Sequence, residues 1–242
     1  MSDVPFAVTA GLAGLVGLAC LAGCTGSGGS TTSSGPTSAG HVAHGPNGTF
    51  SAGDLKDALL VRINGVEPES APDSGTYASL PAIKAAQAQM SGTTITPKDC
   101  AQATVLQAAD LDTGTLNGAP AAVATFRINA DDVSEVLAQH RGSAVVTTLA
   151  DSVPAGCAHY TATAGGKKYE YTVKQDMTAG IGMQPARIVN ISSPKQALDV
   201  WSVLFRGDGF VGAVTVSGPN ASEAAARDLA QQAYAYAAQS LA

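Results

Sequence analysis

From residue 159 onward, apolar and polar side chains alternate. Tyr169, Tyr171 and Val173 are interleaved with Lys168, Glu170, Thr172 and Lys174, and a period of two predicts a strand with one wet face. A run at 159–163 precedes it across Gly165-Gly166. Runs at 185–192, 199–206 and 210–217 follow, the last two joined by Gly207-Asp208-Gly209. Glycine at such joints supplies hairpin turns, so the pattern is an antiparallel meander. Trp201, Val203 and Phe205 share one face of the 199–206 strand and require a cover. Asn220-Ala221-Ser222-Glu223 caps a long closing helix that can supply it. Ala225, Leu229, Ala233 and Tyr236 lie along one side of that helix.

Helical spacing is more frequent in the preceding hundred residues. The stretch 51–62, "SAGDLKDALLVR", predicts a short helix capped by Ser51, with Asp54 completing a capping box. Residues 67–77 hold two prolines and a glycine and read as a loop, and a second helix is predicted over 81–90. Thr96-Pro97-Lys98-Asp99 has the cap, proline and acid of a helix start, which predicts a helix to about residue 109 with Cys100 in its first turn. Residues 114–120 are turn-rich, and Ala122, Ala124, Phe126 and Ile128 alternate as a strand. Asp131 opens a further predicted helix, with Val133, Val136, Leu137 and His140 on one face, running to about residue 149. The sum is an α+β domain over 51–242: a mostly antiparallel sheet of about five or six strands with helices packed on one face.

The first fifty residues carry a different pattern. Positions 5–22 are apolar apart from Thr9 and rich in Gly and Ala. A spanning helix needs about 20 predominantly apolar residues, and this stretch reads instead as the apolar core of an export signal. Leu21-Ala22-Gly23-Cys24 closes it and resembles the bacterial lipobox, in which the cysteine thiol receives a diacylglyceryl group and the leader is cut before it. Residues 1–23 are therefore expected to be a lipoprotein signal peptide, with Cys24 the lipidation site. The only side-chain charge ahead of the box is Asp3, so this assignment rests on the box. One acyl chain holds a protein only marginally, with K on the order of 10⁴ M⁻¹; two or three would make the attachment stable. Residues 24–50 are dominated by Gly, Ser, Thr and Pro. They are expected to be a disordered linker with a reach of roughly 30 Å. The expected location is the extracytoplasmic face of the cell membrane, with the membrane itself a partner through the lipid.

Four cysteines are present. Cys20 leaves with the leader and Cys24 takes the lipid, which leaves Cys100 and Cys157. An even pair on an exported chain reads as a disulfide. There is no C-x-x-C, and two cysteines with His159 make no recognised zinc spacing, so no metal site is expected.

Charge and motifs narrow the chemistry further. Charged residues are 13% of the 242, and the formal net charge is −6. Without a basic cluster, nucleic acid is excluded as a partner. Neither G-x-S-x-G nor G-x-x-x-x-G-K-[ST] occurs, so no catalytic residue and no cofactor is expected. Asp131-Asp132 suits a helix N-terminus, and Glu67 and Glu69 sit in the predicted loop. His41 and His44 fall in the linker, His140 reads as structural, and His159 starts a strand beside the cysteine pair. The Lys168/Glu170/Lys174 face suits solvent or a partner, and Arg187 and Arg206 are candidates to hold an anion in a cleft. Three functions fit: a non-enzymatic binding or sensor domain, a carrier of lipid or another apolar ligand, and an exported hydrolase with an unfamiliar site.

The order of elements adds a resemblance. The lipobox, the Ser/Thr/Gly linker, "LKDALL", the segment at Cys100, the meander and "VSGPNASEAAARDLAQQA" together resemble the extracellular sensor domain of mycobacterial serine/threonine kinases. Free-standing actinobacterial lipoproteins share that domain. The resemblance covers about residues 51–242. It implies a PsbP-like fold with a cleft, and exported sensing or binding of an unnamed cell-envelope ligand or protein. The kinase domains of this family carry two disulfides, where this chain can make one.

Overall fold

The computed structural model describes residues 49–103, 116–140, 153–154 and 156–242. The predicted signal segment, the lipobox and nearly all of the linker lie outside them. The strands are β1 (Asp73–Thr76), β2 (Thr93–Thr96), β3 (Pro120–Ile128), β4 (Asp131–Gln139), β5 (His159–Ala164), β6 (Lys167–Thr178), β7 (Ala186–Ser193), β8 (Leu198–Arg206) and β9 (Phe210–Gly218). The described helices are α1 (Ala52–Asp57), α2 (Pro81–Ser91) and α3 (Glu223–Ser240).

All nine strands join one antiparallel sheet in the order β1-β3-β4-β9-β8-β7-β6-β5-β2. The α+β class and antiparallel sheet agree with the sequence. The count of five or six strands does not, because β1, β2 and β4 were hidden in segments read as loop or helix. The confinement of helices to one face fails too. The helices α1 and α3 cover a first face, built on Ala122, Ala124, Phe126, Val133, Leu137, Val203, Phe205 and Val214. Ile83 of α2 and Leu80 just before it, with Tyr77 and Leu116, cover a second face at Val123, Val136, Leu204 and Ala213. Since β1 and β2 lie at opposite edges of the sheet, the chain between them must cross it. It does so on the second face, where Met90 near the end of α2 reaches a further cluster around Ile95, Tyr171 and Ile191.

β4 explains the largest error. Asp131–Gln139 pairs with β3 on one side and β9 on the other, and its seven inner residues are buried. A strand covered on both faces loses its polar alternation, so Val133, Val136 and Leu137 mimic a helical stripe. The predicted helix at Thr96 fails for a different reason. Thr93–Thr96 reads TTIT, a β-branched run that favours a strand. Pro97 follows, and only a 3₁₀ turn over Lys98–Ala103 comes after it. Residues 104–109 and 141–149, the remainders of those two predicted helices, lie outside the described residues.

Elsewhere the local signals hold. In α1, Ser51 Oγ accepts from Asp54 N and Asp54 Oδ2 accepts from Ser51 N, completing the capping box. Ser222 caps α3. The buried line of α3 is Ala226, Leu229, Ala230, Ala233 and Ala237, one position round from the predicted stripe at Ala225 and Tyr236. Tyr234 meets Phe205 and Phe210 with ring centroids 6.0 and 6.5 Å apart. Gly212 makes room for this cluster, since a Cβ there would lie 2.3 Å from the Phe205 ring.

Two polar features are built into the sheet. On the second face, Thr215 pairs across from both Ser134 and Ser202. All three are buried, and the Ser202 and Thr215 hydroxyls lie 3.0 Å apart. This row separates the two apolar clusters of that face. On the first face, Glu135 is fully buried beneath α1, among Ala124, Leu137 and Val214. Its Oε2 accepts from Leu60 N at 2.8 Å, while Oε1 has no partner among the described residues. Burial pushes its carboxyl up to about 8, and the Leu60 N–H opposes this only in part. The folded chain therefore keeps Glu135 protonated at neutral pH.

Because the folded-state value lies above the unfolded one, the stability linked to Glu135 is full at acid pH. It falls as pH rises through the window from about 4.5 to about 8. Glu135→Gln keeps the acceptor for Leu60 and removes the ionisation. Urea midpoints of the variant are expected to change less between pH 5 and pH 8.5 than those of the parent, with a gain of a few kcal/mol at the upper end. Gly212→Ala is expected to lower stability by about 1–3 kcal/mol through overpacking against Phe205, read as a lower midpoint at unchanged urea slope.

Candidate functional site

α3 lies over β8 and β9, and α1 over β3 and β4, so among the described residues the first face is uncovered toward β5 and β6. Pairing sets which residues stand there. Thr94 and Thr96 of β2 face Thr163 and Thr161 of β5, and Thr161 and His159 face Glu170 and Thr172 of β6. Paired residues share a face, so these side chains form one polar surface.

That surface contains a solvent-open depression of about 560 Å³, lined by Thr96, Pro97, His159, Thr161, Glu170, Thr172 and Lys195, with Tyr160 and Tyr171. Lys195 stands in the 3₁₀ turn after β7 and donates to Glu170 Oε2 at 2.6 Å. Its hydrogen bond and charge, helped by the charge of Lys168, hold the Glu170 carboxyl below the usual range. Ser193 Oγ donates to Glu170 O at 2.8 Å, fastening β6 to the end of β7. His159 Nδ1 lies 3.3 Å from Thr172 Oγ1.

The opposite side of the same strands is apolar. The Tyr160 and Tyr171 rings stack there at 5.1 Å between centroids. Burial raises both phenols, that of Tyr171 to about 12. Cys100 and Cys157 are bonded beside them, with Cα atoms 5.2 Å apart and both sulfurs in the buried cluster. Cys157 precedes β5 and Cys100 follows β2, so the bridge ties the ends of two paired strands rather than the termini of two helices. The depression thus has a cross-linked floor.

The chemistry this arrangement offers is recognition through hydroxyls, one ion pair and one imidazole. An activated nucleophile needs a base that a third group orients. Among the described residues, the ring of His159 contacts Thr172 and no carboxylate. His140 is buried at the end of β4, its backbone N–H donating to Gly209 O. Asp132 pairs with Arg127 at 2.7 Å at the start of β4; burial, outweighing Arg127, raises its carboxyl. Asp131 accepts from Asn220 N at 2.9 Å and Glu67 pairs with Arg62 at 2.6 Å. These carboxylates therefore serve the fold, and Asp131 and Asp132 stand in a strand rather than at a helix start. Arg187 and Arg206, on β7 and β8, do not line the depression. No group of three or more metal-ligating side chains occurs among the described residues. Cys24, His41 and His44 lie outside the described residues.

Of the sequence candidates, the structure brings His159 and Glu170 together. It adds Thr96, Thr161, Thr172 and Lys195. The threonines carried a signal in strand alternation, but their grouping depends on β2 pairing with β5. Lys195 reaches Glu170 across 25 positions of chain and had no local signal.

No family model matches the chain, and no curated protein matches it by sequence. Among solved structures it is similar to the extracellular domain of PknH from Mycobacterium tuberculosis. The identity is 15% and the TM-score 0.49, over 80% of this chain and 97% of that one. It is also similar to the Rv0999 ortholog from Mycobacterium smegmatis, at 14% identity and a TM-score of 0.38, over 69% of this chain and 86% of that one.

The bridge spans a sequence separation of 57, and closing a loop of that length is worth about 4 kcal/mol in the chain-entropy account. Cys157→Ser is expected to lower unfolding free energy by about that amount. Reduced parent protein should match the variant in urea titrations.

Proposed function

We propose that the chain is an extracytoplasmic, non-enzymatic binding or sensor domain, held at the cell membrane by lipid on Cys24 and extended from it by residues 25–50. The observation that carries this reading is the polar depression on the bare part of the sheet, backed by the Cys100–Cys157 bridge. A bridge of this kind suits an oxidising compartment, in agreement with the lipobox. The open, hydroxyl-lined surface suits reversible recognition, and among the described residues no carboxylate orients the His159 ring. A cell-envelope ligand or a protein of the same compartment is the fitting partner.

The carrier reading finds less support. A lipid cavity between sheet and helix needs space under the helix. The alanines of α3 at 226, 230, 233 and 237 are instead fully buried against the sheet, so this helix lies close upon it. Among the described residues, no helix is long and apolar enough to cross a membrane, so attachment in this proposal rests on Cys24.

Two measurements test it. Cys24→Ser is expected to move the chain from the membrane fraction of its host to the soluble fraction. A soluble cell-envelope extract is expected to raise the melting temperature of the full chain by several degrees, as ligand binding to the native state requires. Thr161→Trp, which fills the depression, should lose that shift. Turnover of ester or peptide substrates by the purified chain, abolished by His159→Ala, would overturn the non-enzymatic reading.

A further inference from the structure

We propose that the depression takes an anionic glycan: a chain of hydroxyl-bearing sugars that carry carboxylate or phosphate groups. This rests on the reading of the depression as a binding site and names the ligand class that its chemistry fits.

The first argument is the threonine array. Thr94 pairs with Thr163 and Thr96 with Thr161, giving a two-by-two patch on one sheet face. Neighbours in it stand about 4.8 Å apart across the strands and about 7 Å along them. Each threonine presents a hydroxyl that both donates and accepts, beside a methyl group. Sugars present the same mixture, with hydroxyls around a ring whose faces are C–H. Thr172 and the His159 imidazole extend the patch on β6 and β5.

The second argument is charge. Lys168 and Lys174 share the Glu170 face of β6, each two or four positions from it, and neither is ion-paired among the described residues. Lys195 and Glu170 form an exposed pair, with side chains 76% and 62% accessible. Such a pair contributes little and opens readily. Lys195 on the depression and Lys168 at its border therefore stand by the one carboxylate, with Lys174 and Asp176 farther along the same strand face, outside the lining. Glu170 is the discriminating group: it accepts hydrogen bonds from the several hydroxyls of a sugar, whereas a small oxyanion offers at most one or two and is otherwise repelled by its charge. The chain as a whole is formally −6, which disfavours anions at long range. Recognition must then come from close contacts, which need both the hydroxyls and the charge of the ligand.

The test uses the full chain and three probes in isothermal titration calorimetry: oligogalacturonate, a neutral maltooligosaccharide of equal length, and inorganic phosphate. Oligogalacturonate is expected to bind at least tenfold tighter than either of the others. Lys168→Gln with Lys174→Gln is expected to weaken it roughly tenfold. Both positions are exposed, and circular dichroism checks that the fold is kept. Equal binding of the neutral sugar, equal binding of phosphate, or no binding of oligogalacturonate would overturn the assignment. If oligogalacturonate fails while the envelope extract still gives a melting shift that Thr161→Trp removes, only the ligand class falls. If that shift is absent as well, the binding-site reading falls with it.

Discussion

One continuous backbone ladder holds this molecule together. Nine strands pair antiparallel without a break, and two adjacent inner strands, β4 and β9, are covered on both faces. A buried amide or carbonyl without a partner is costly, so these strands must be fully paired, and the pairing fixes where every side chain points. The sequence separation of the edges follows from the same constraint. β1 and β2 belong to opposite ends, and the chain between them is committed to crossing the second face. Each edge strand is four residues long, and edges so short limit the addition of a foreign strand.

The coverage of that ladder is uneven, and the unevenness places the candidate site. The three described helices do not cover two faces of nine strands. Among the described residues, α1 and α3 take the first face as far as β8, leaving β5 and β6 open there, while the second face of those same strands is sealed by tyrosines and a bridged cysteine pair. A surface that is wet on one side and cross-linked on the other is well suited to hold polar groups in fixed positions, because the strands beneath cannot shift singly.

Legibility in the sequence tracked burial. β6 was readable because one of its faces is wet, so Tyr169, Tyr171 and Val173 alternate with charged residues. β4 was not, because packing on both sides removed the polar alternation and left Val133, Val136 and Leu137 at a spacing that a helix also explains. Glu135 sat among them as an apparent surface residue, and nothing local marks it as a buried acid. Caps were readable at Ser51 and Ser222, since their hydrogen bonds span three residues. The candidate site was half readable. His159 and the Lys168/Glu170/Lys174 face stood out by composition, whereas the union of Thr96, Thr161 and Lys195 is set by strand pairing and a distant turn.

The buried hydroxyl row has a consequence for strand alignment. Thr215 faces Ser202 on one side and Ser134 on the other. Sliding β9 by two residues would keep every ladder bond type and every inward face, but it would take Gly212 from its place opposite Phe205. The slide would set Thr215 against Val200 or Leu204, stranding its hydroxyl in a dry environment. The small polar groups thus act together with Gly212 as an index mark for the offset of β9, at no cost in surface area.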